Sequence, residues 1–375
     1  MSRARRAAQR GFTLIELMIS LLIASLLVIL ILSVFSRLSF AYREQQHLGT
    51  LQKTLAAARQ VMEHDAKQAG YAMAQGFRIA ADGADAGAVK HSPLVVVNSA
   101  SGPDEVGFYY ADASAQAVVT TSGPATTLSV DDATGFAAND LVVLSTADLT
   151  TATNPVSPTT DAKLTTFDAC VVQIQQVSAT SVTFAQNGSW GRANNDHCIN
   201  ALANTTMMYK FVAHYWRIDP AREDEGVLQL AENGNLIASD GWKDQAYGFT
   251  DIQVATYFYD GDGTDTLDPD DDGARDWVSD GAQDTLTAPI PIANSFTAPL
   301  VVTMSLVART QRDVEGIYTA ATPELVGTPG DLDHNMIGDH ASVPLPSTSD
   351  PRLAGKRIYR FITFQADLRN LGIGR

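Results

Sequence analysis

Arg10-Gly11-Phe12-Thr13-Leu14-Ile15-Glu16-Leu17 opens an apolar run that continues to Phe35 and carries a single charge, Glu16. Coiled as a helix at about 1.5 Å per residue, Phe12 to Phe35 spans roughly 36 Å, enough to cross a bilayer with some tilt. Ahead of the run stand Arg3, Arg5, Arg6 and Arg10 with no acid among them. Such residues stay on the cytoplasmic side, which places the rest of the chain beyond the membrane. A secretory signal peptide has a shorter apolar core followed by a small-residue cut. Here the Gly11–Phe12 junction precedes the core and no comparable cut follows it, so the apolar segment is expected to be retained. An acid within such a helix costs up to about 3 kcal/mol at mid-bilayer and persists where something pairs with it. Glu16 lies just beyond the Gly11 junction, placed to meet a positive group at a helix start.

The apolar stripe does not stop with the span. Leu48, Leu51, Leu55, Ala58, Met62 and Ala69 continue it at helical spacing, with Arg59, Glu63 and Lys67 between them. Gly70 follows as a stop signal. The spacing predicts one helix from about Thr13 to Ala69, its first half in lipid and its second half packed on a body. No proline interrupts it, and in its membrane half Ser25 and Ser33 are the nearest weak points.

The octamer from Arg10 to Leu17 resembles the prepilin signature shared by type IV pilins and type II secretion pseudopilins. The resemblance implies that a membrane aspartyl peptidase cuts after Gly11, that Phe12 becomes the methylated N-terminus, and that Glu16 sets subunit register. In the body, Tyr215-Trp216-Arg217-Ile218, Leu228-Gln229-Leu230, Phe249 to Val254 leading into Tyr259-Asp260-Gly261-Asp262-Gly263, and the chain end Leu368-Arg369-Asn370-Leu371-Gly372 resemble PilW-type minor pilins.

The 375 residues are 45% hydrophobic and 18% charged, a globular composition, with a net charge of −16. The four leader arginines leave residues 12–375 at −20. A body so acidic repels nucleic acid and anionic surfaces, and no nucleic-acid partner is expected. Beyond residue 92 the periodicity falls to two. Strands are predicted at 93–97, 105–110, 127–130, 140–144, 170–174, 181–184, 208–217, 227–230, 252–259, 300–309 and 357–368. A hairpin is expected where Asn233-Gly234 separates Val227–Leu230 from Leu236-Ile237. No βα alternation occurs, so the expected class is α+β: a long N-terminal transmembrane and amphipathic helix on a mostly antiparallel sheet, with a small β module inserted. The expected division is a leader, 1–11; the N-terminal helix, 12–70, membrane-spanning over 12–36 and amphipathic over 37–70; a connecting region, 71–117; the inserted module, 118–204; and the sheet body, 205–375.

Two acidic loops have metal-ligand spacing. Asp268, Asp270, Asp272 and Asp276 occupy positions 1, 3, 5 and 9 of an EF-hand-like loop, with Gly273 at the turn and the Ala274 carbonyl at position 7. Ser279 stands where a bidentate glutamate would be. Asp331, Asp333, Asn335 and Asp339 repeat the spacing with Met336 in place of the turn glycine. Alternate side chains on a tight loop converge oxygens on a hard cation, so Ca²⁺ is the expected cofactor; the competing reading is a solvated acidic loop. Cys170 and Cys198 are the two cysteines. They read as free thiols in a cytosolic chain and as a disulfide in an exported one, and the N-terminus favours export. The sequence lacks HExxH, Gly-x-Ser-x-Gly and a P-loop, so no enzymatic activity is expected. Seven histidines are scattered and read as surface or satisfied groups. Trp190, Trp216, Trp242 and Trp277 read as packing residues rather than as a glycan platform.

By the resemblance, the chain is expected to be a minor pilin that primes a type IV pilus and sits at or near its tip. It would begin as a single-pass inner-membrane protein with a periplasmic body and then enter the extracellular pilus. The implied partners are other minor and major pilins, the prepilin peptidase, the inner-membrane assembly platform and a PilY-type tip adhesin. The alternatives are a pseudopilin of a type II secretion system and a tip adhesin that binds through residues 92–200.

Overall fold

The computed structural model describes residues 13–73, 76–80, 91–97, 99, 102–120, 126–145, 169–186, 190, 206–222, 225–232, 241–259, 275–278, 299–310, 359–368 and 370. One helix, α1 (Leu14–Gln68), precedes fourteen strands in the described residues. They are β1 (Phe77–Ile79), β2 (Leu94–Val97), β3 (Glu105–Val118), β4 (Thr127–Ser129), β5 (Leu141–Ser145), β6 (Ala169–Ser178), β7 (Ser181–Phe184), β8 (Met207–Ile218), β9 (Val227–Ala231), β10 (Trp242–Tyr247), β11 (Phe249–Tyr259), β12 (Arg275–Val278), β13 (Pro299–Arg309) and β14 (Tyr359–Asp367). The α+β class read from the sequence is the class observed.

α1 holds 55 residues without a break, about 80 Å of rod. It ends as its sequence dictates. Ala69 is the C-cap, and Gly70 follows at φ +78°, a conformation glycine reaches without Cβ strain. The Gly70 N–H donates to the Tyr109 carbonyl at 2.9 Å and so ties the helix end to β3. Asn370, at the far end of the chain, donates from Nδ2 to the Lys67 and Gln68 carbonyls at 3.0 and 3.2 Å. These carbonyls lack partners within the helix, and the amide supplies one.

The strands form two sheets. The larger runs β10-β9-β8-β5-β6-β7-β4, with β3 also on β8, β2 on β3, and β1 on β6; the smaller runs β12-β11-β13-β14. Only β1 and β6 pair in parallel among the described strands. Strand alternation sets the layers. On β3, Val106 and Phe108 turn toward α1, as do Trp216 and Ile218 on β8, and they share one apolar cluster with Leu51, Leu55, Ala58, Met62, Ala66 and Ala69 of the helix. The smaller sheet closes that cluster from its other side with Val254, Met304, Leu306 and Phe364. The opposite face of the larger sheet, with Tyr109, Phe211 and Tyr215, forms a second cluster with Phe77 and Met73. Residues 118–204 contribute β4 to β7, whose apolar side chains build a third cluster around Leu144, Ile174 and Phe184. β5 is nevertheless hydrogen-bonded to β8, so this stretch and the body share one sheet.

The two sheets are joined at one corner. Gly248 lies between β10 and β11 at φ +93° and carries the chain from the larger sheet to the smaller. Beside it Gly226, at φ +65°, accepts from the Phe249 N–H at 2.9 Å, and a Cβ at Gly226 would stand 2.3 Å from the Phe249 carbonyl oxygen. Asp104 completes the joint, accepting from the Val254 N–H at 2.8 Å while its own N–H donates to the Ile252 carbonyl.

Three strands were not expected. β1 is short; β10 reads as polar; β12 falls on the predicted acidic loop. The strand that returns beside β9 is β10, beyond Asn233-Gly234 and Leu236-Ile237, which lie outside the described residues.

Candidate functional site

The N-terminal half of α1 is a site because nothing among the described residues covers it. The large apolar residues from Leu14 to Phe35 are each 52–80% exposed, whereas Leu51, Leu55 and Met62 farther along are buried. This segment is long and apolar enough to cross a membrane. Ser20 and Ser25 donate their hydroxyls back to the Leu17 and Leu22 carbonyls, so these two donors are satisfied on the rod itself.

Thr13 and Glu16 cap the rod. Thr13 is extended, at φ −74° and ψ 150°, and its hydroxyl oxygen accepts from the Glu16 N–H at 3.3 Å. Glu16 Oε2 accepts in return from the Thr13 N–H at 3.0 Å and the Thr13 hydroxyl at 2.9 Å. This capping box satisfies helix-start donors that would otherwise face lipid. It also holds the carboxylate beside the first turn, where the helix dipole favours a negative charge. Gly11 and Phe12 lie outside the described residues.

Sequence reasoning missed the polar centre of the docked half, Asp65. This carboxylate is 1% exposed. Oδ1 accepts from the Tyr110 hydroxyl at 2.9 Å and pairs with His214 Nδ1 at 2.9 Å, and Oδ2 accepts from Trp216 Nε1 at 3.0 Å. Tyr110 comes from β3, His214 and Trp216 from β8, all on the sheet face turned toward α1. Burial first, and then the Asp65 charge, push the Tyr110 phenol far above its ordinary range, so it remains a donor. A sign of this role was present in the sequence: Asp65 stands next to Ala66, between Met62 and Ala69, on the apolar stripe itself. Beside it, the Arg59 guanidinium lies 5.7 Å from the centre of the Phe364 ring of β14.

The other expected sites are placed less fully. Asp276 lies in β12, opposite Phe258. Asp268, Asp270, Asp272, Ala274, Asp331, Asp333, Asn335 and Asp339 lie outside the described residues. Among the described residues no group of three His, Cys, Asp or Glu is placed to hold a metal. Cys170 is buried on β6, and Cys198 lies outside the described residues. Three tryptophans pack: Trp216 against the helix seam, Trp190 beside Phe211, and Trp242 under the Arg217 guanidinium at 3.6 Å.

Residues 6–32 match the prokaryotic N-terminal methylation motif. No curated protein matches the chain. Among solved structures, the chain is similar to a type IV-like pilin from Thermus thermophilus, at 10% identity and a TM-score of 0.35, over 86% of this chain and 97% of that one. A score that low supports no transfer of role. The chain therefore carries the methylation motif, on an apolar helix suited to a membrane, joined to an α+β body.

Replacing Asp65 with Ala strands the buried Tyr110 and Trp216 donors and is expected to cost about 2–5 kcal/mol of stability. Urea unfolding of the full chain in detergent measures the loss, and a change within about 0.5 kcal/mol would show that the seam does not need the carboxylate.

Proposed function

We propose that this chain is a minor pilin of a type IV pilus, cut after Gly11, methylated at Phe12, and placed at or near the tip, where it primes assembly. The observation that carries the reading is the pairing of the methylation motif over residues 6–32 with a capped apolar rod that its own body leaves bare. A rod of that kind has two stable environments. One is a bilayer; the other is a bundle of sister rods. The Glu16 carboxylate at its start has the charge to receive the new terminal amine of a neighbour as the rod moves from the first to the second. The body, whose size suits a tip better than a regular shaft, supplies the contacts to other minor and major pilins and to a PilY-type adhesin. The prepilin peptidase and the inner-membrane platform act before incorporation, while the body lies in the periplasm. A pseudopilin role in type II secretion would use the same N-terminus, and loss of a secreted enzyme rather than of surface pili on deletion would assign it.

Two accessory features belong to the proposal. Ca²⁺ would bind the loops of Asp268, Asp270, Asp272, Ala274 and Asp276, and of Asp331, Asp333, Asn335 and Asp339, weakly because position 12 of the first lacks its glutamate. A Cys170–Cys198 disulfide would close the edge of the 118–204 module; in its support, no cysteine among the described residues is free. Two reactive thiols in the unfolded, unreduced chain would remove it.

Mass spectrometry of the chain from a peptidase-competent cell is expected to find methyl-Phe12 at the N-terminus, and an intact Met1 form there overturns the reading. Glu16→Ala is expected to lower incorporation into pili by tenfold or more, about 1.4 kcal/mol of lost pairing, as read by immunoblot of sheared fibres. With millimolar Ca²⁺ the full chain is expected to melt a few degrees higher; an unchanged midpoint would dismiss both loops.

A further inference from the structure

The chain is segmented by charge along α1. Of the net −16, residues 1–11 contribute +4, residues 12–35 −1 and residues 36–50 +1, which leaves −20 on residues 51–375. The short segment between the apolar run and the first buried helix residue, Leu51, thus carries a positive balance where the chain leaves the span. It holds Arg37 and Arg43, and with them Leu38, Phe40 and Tyr42, all exposed on the helix surface. Among the described residues neither arginine is in an ion pair.

The lengths agree with a bilayer. Leu14 to Phe35 rises about 33 Å, against a hydrocarbon core of about 30 Å. Arg37 to Arg43 rises about 9 Å, enough to cross one headgroup layer of roughly 5–8 Å. Glu44 to Thr50 adds about 10 Å before the body begins, roughly one Debye length in salt. Aromatic and leucine side chains interleaved with arginine suit that layer, since the rings and stems lie against acyl chains while the guanidiniums reach phosphate.

We infer that residues 37–43 are a collar for phospholipid headgroups on the body side of the membrane. Arg37 and Arg43 bind lipid phosphate, Phe40 and Tyr42 seat in the interface, and the helix is held there at one depth. The polar turns from Glu44 to Thr50 then hold the acidic body beyond the reach of the surface charge that would repel it. The inference rests on the membrane reading of the N-terminal half and adds the lipid contact that sets its depth.

The test uses the full chain with a fluorophore at the exposed Ala41, reconstituted into phosphatidylcholine vesicles with and without phosphatidylglycerol. Quenchers attached near the headgroup or deep in the acyl chain report its depth. In the parent chain the shallow quencher is expected to dominate. In Arg37→Gln/Arg43→Gln, which touches no buried group, the collar should sink, and the ratio of deep to shallow quenching should rise by about twofold or more. An equal ratio in the two proteins, with both floating with the vesicles, overturns the collar alone. A parent chain that does not float with vesicles overturns the collar together with the membrane reading. A second variant, Phe40→Ser/Tyr42→Ser, should move the label outward instead, and no movement there counts equally against the collar.

Discussion

A buried carboxylate in an apolar seam constrains a structure more tightly than any aliphatic contact around it. Asp65 is taken from water at a cost of several kcal/mol, repaid only while donors from β3 and β8 meet it together. Tyr110, His214 and Trp216 are spaced so that one position of the helix satisfies all three. Leu51, Leu55, Ala58 and Met62 supply most of the burial, yet such side chains tolerate repacking. Directional bonds do not. The two sheets join at Gly226, Gly248 and Asp104, close over the same helix face, and so inherit its placement.

The rod therefore has two halves with different demands. The docked half finds its partners inside the chain. The bare half finds none among the described residues, and its exposed leucines and isoleucines would drive aggregation in water. The capping box and the Ser20 and Ser25 hydroxyls nonetheless satisfy polar groups that neither lipid nor a bundle of apolar rods could serve. The acidic body makes the opposite choice of solvent.

Much of this was legible because it is local. Helix bounds followed from an apolar run, an unbroken stripe and Gly70, and the observed Leu14–Gln68 lies within one residue of them at each end. Most strands followed from period-two patterns, which short-range sterics enforce. β10 was not, because Trp-Lys-Asp-Gln-Ala-Tyr carries no apolar alternation: it is an edge strand held by its charges, with Asp244 gripped by both terminal nitrogens of Arg222. β1 escaped because it owes its form to a parallel partner far along the chain, β6. Asp65 escaped for a similar reason. Beside Glu63, His64 and Lys67 it looks like one more polar position, and the donors that give it meaning stand 45, 149 and 151 residues away. Of the candidate sites, Glu16 stood out as the single charge of the apolar run, though its bonds to Thr13 emerge only in the structure, while the acidic loops are patterns whose meaning depends on closure.

The clasp of Asn370 on the last turn of α1 fixes an order of events. Its amide meets the Lys67 carbonyl across 303 positions of sequence, and β14, just before it, packs on the same helix. Ribosomal synthesis delivers the helix first and its seat last. Until residue 370 has emerged, the docking face of α1 cannot be fully enclosed, so the nascent chain travels with an unfinished groove. Contacts of such long range also slow the final closure. A chain lacking β14 and Asn370 would thus keep the apolar half of α1 and lose the clasp on its last turn.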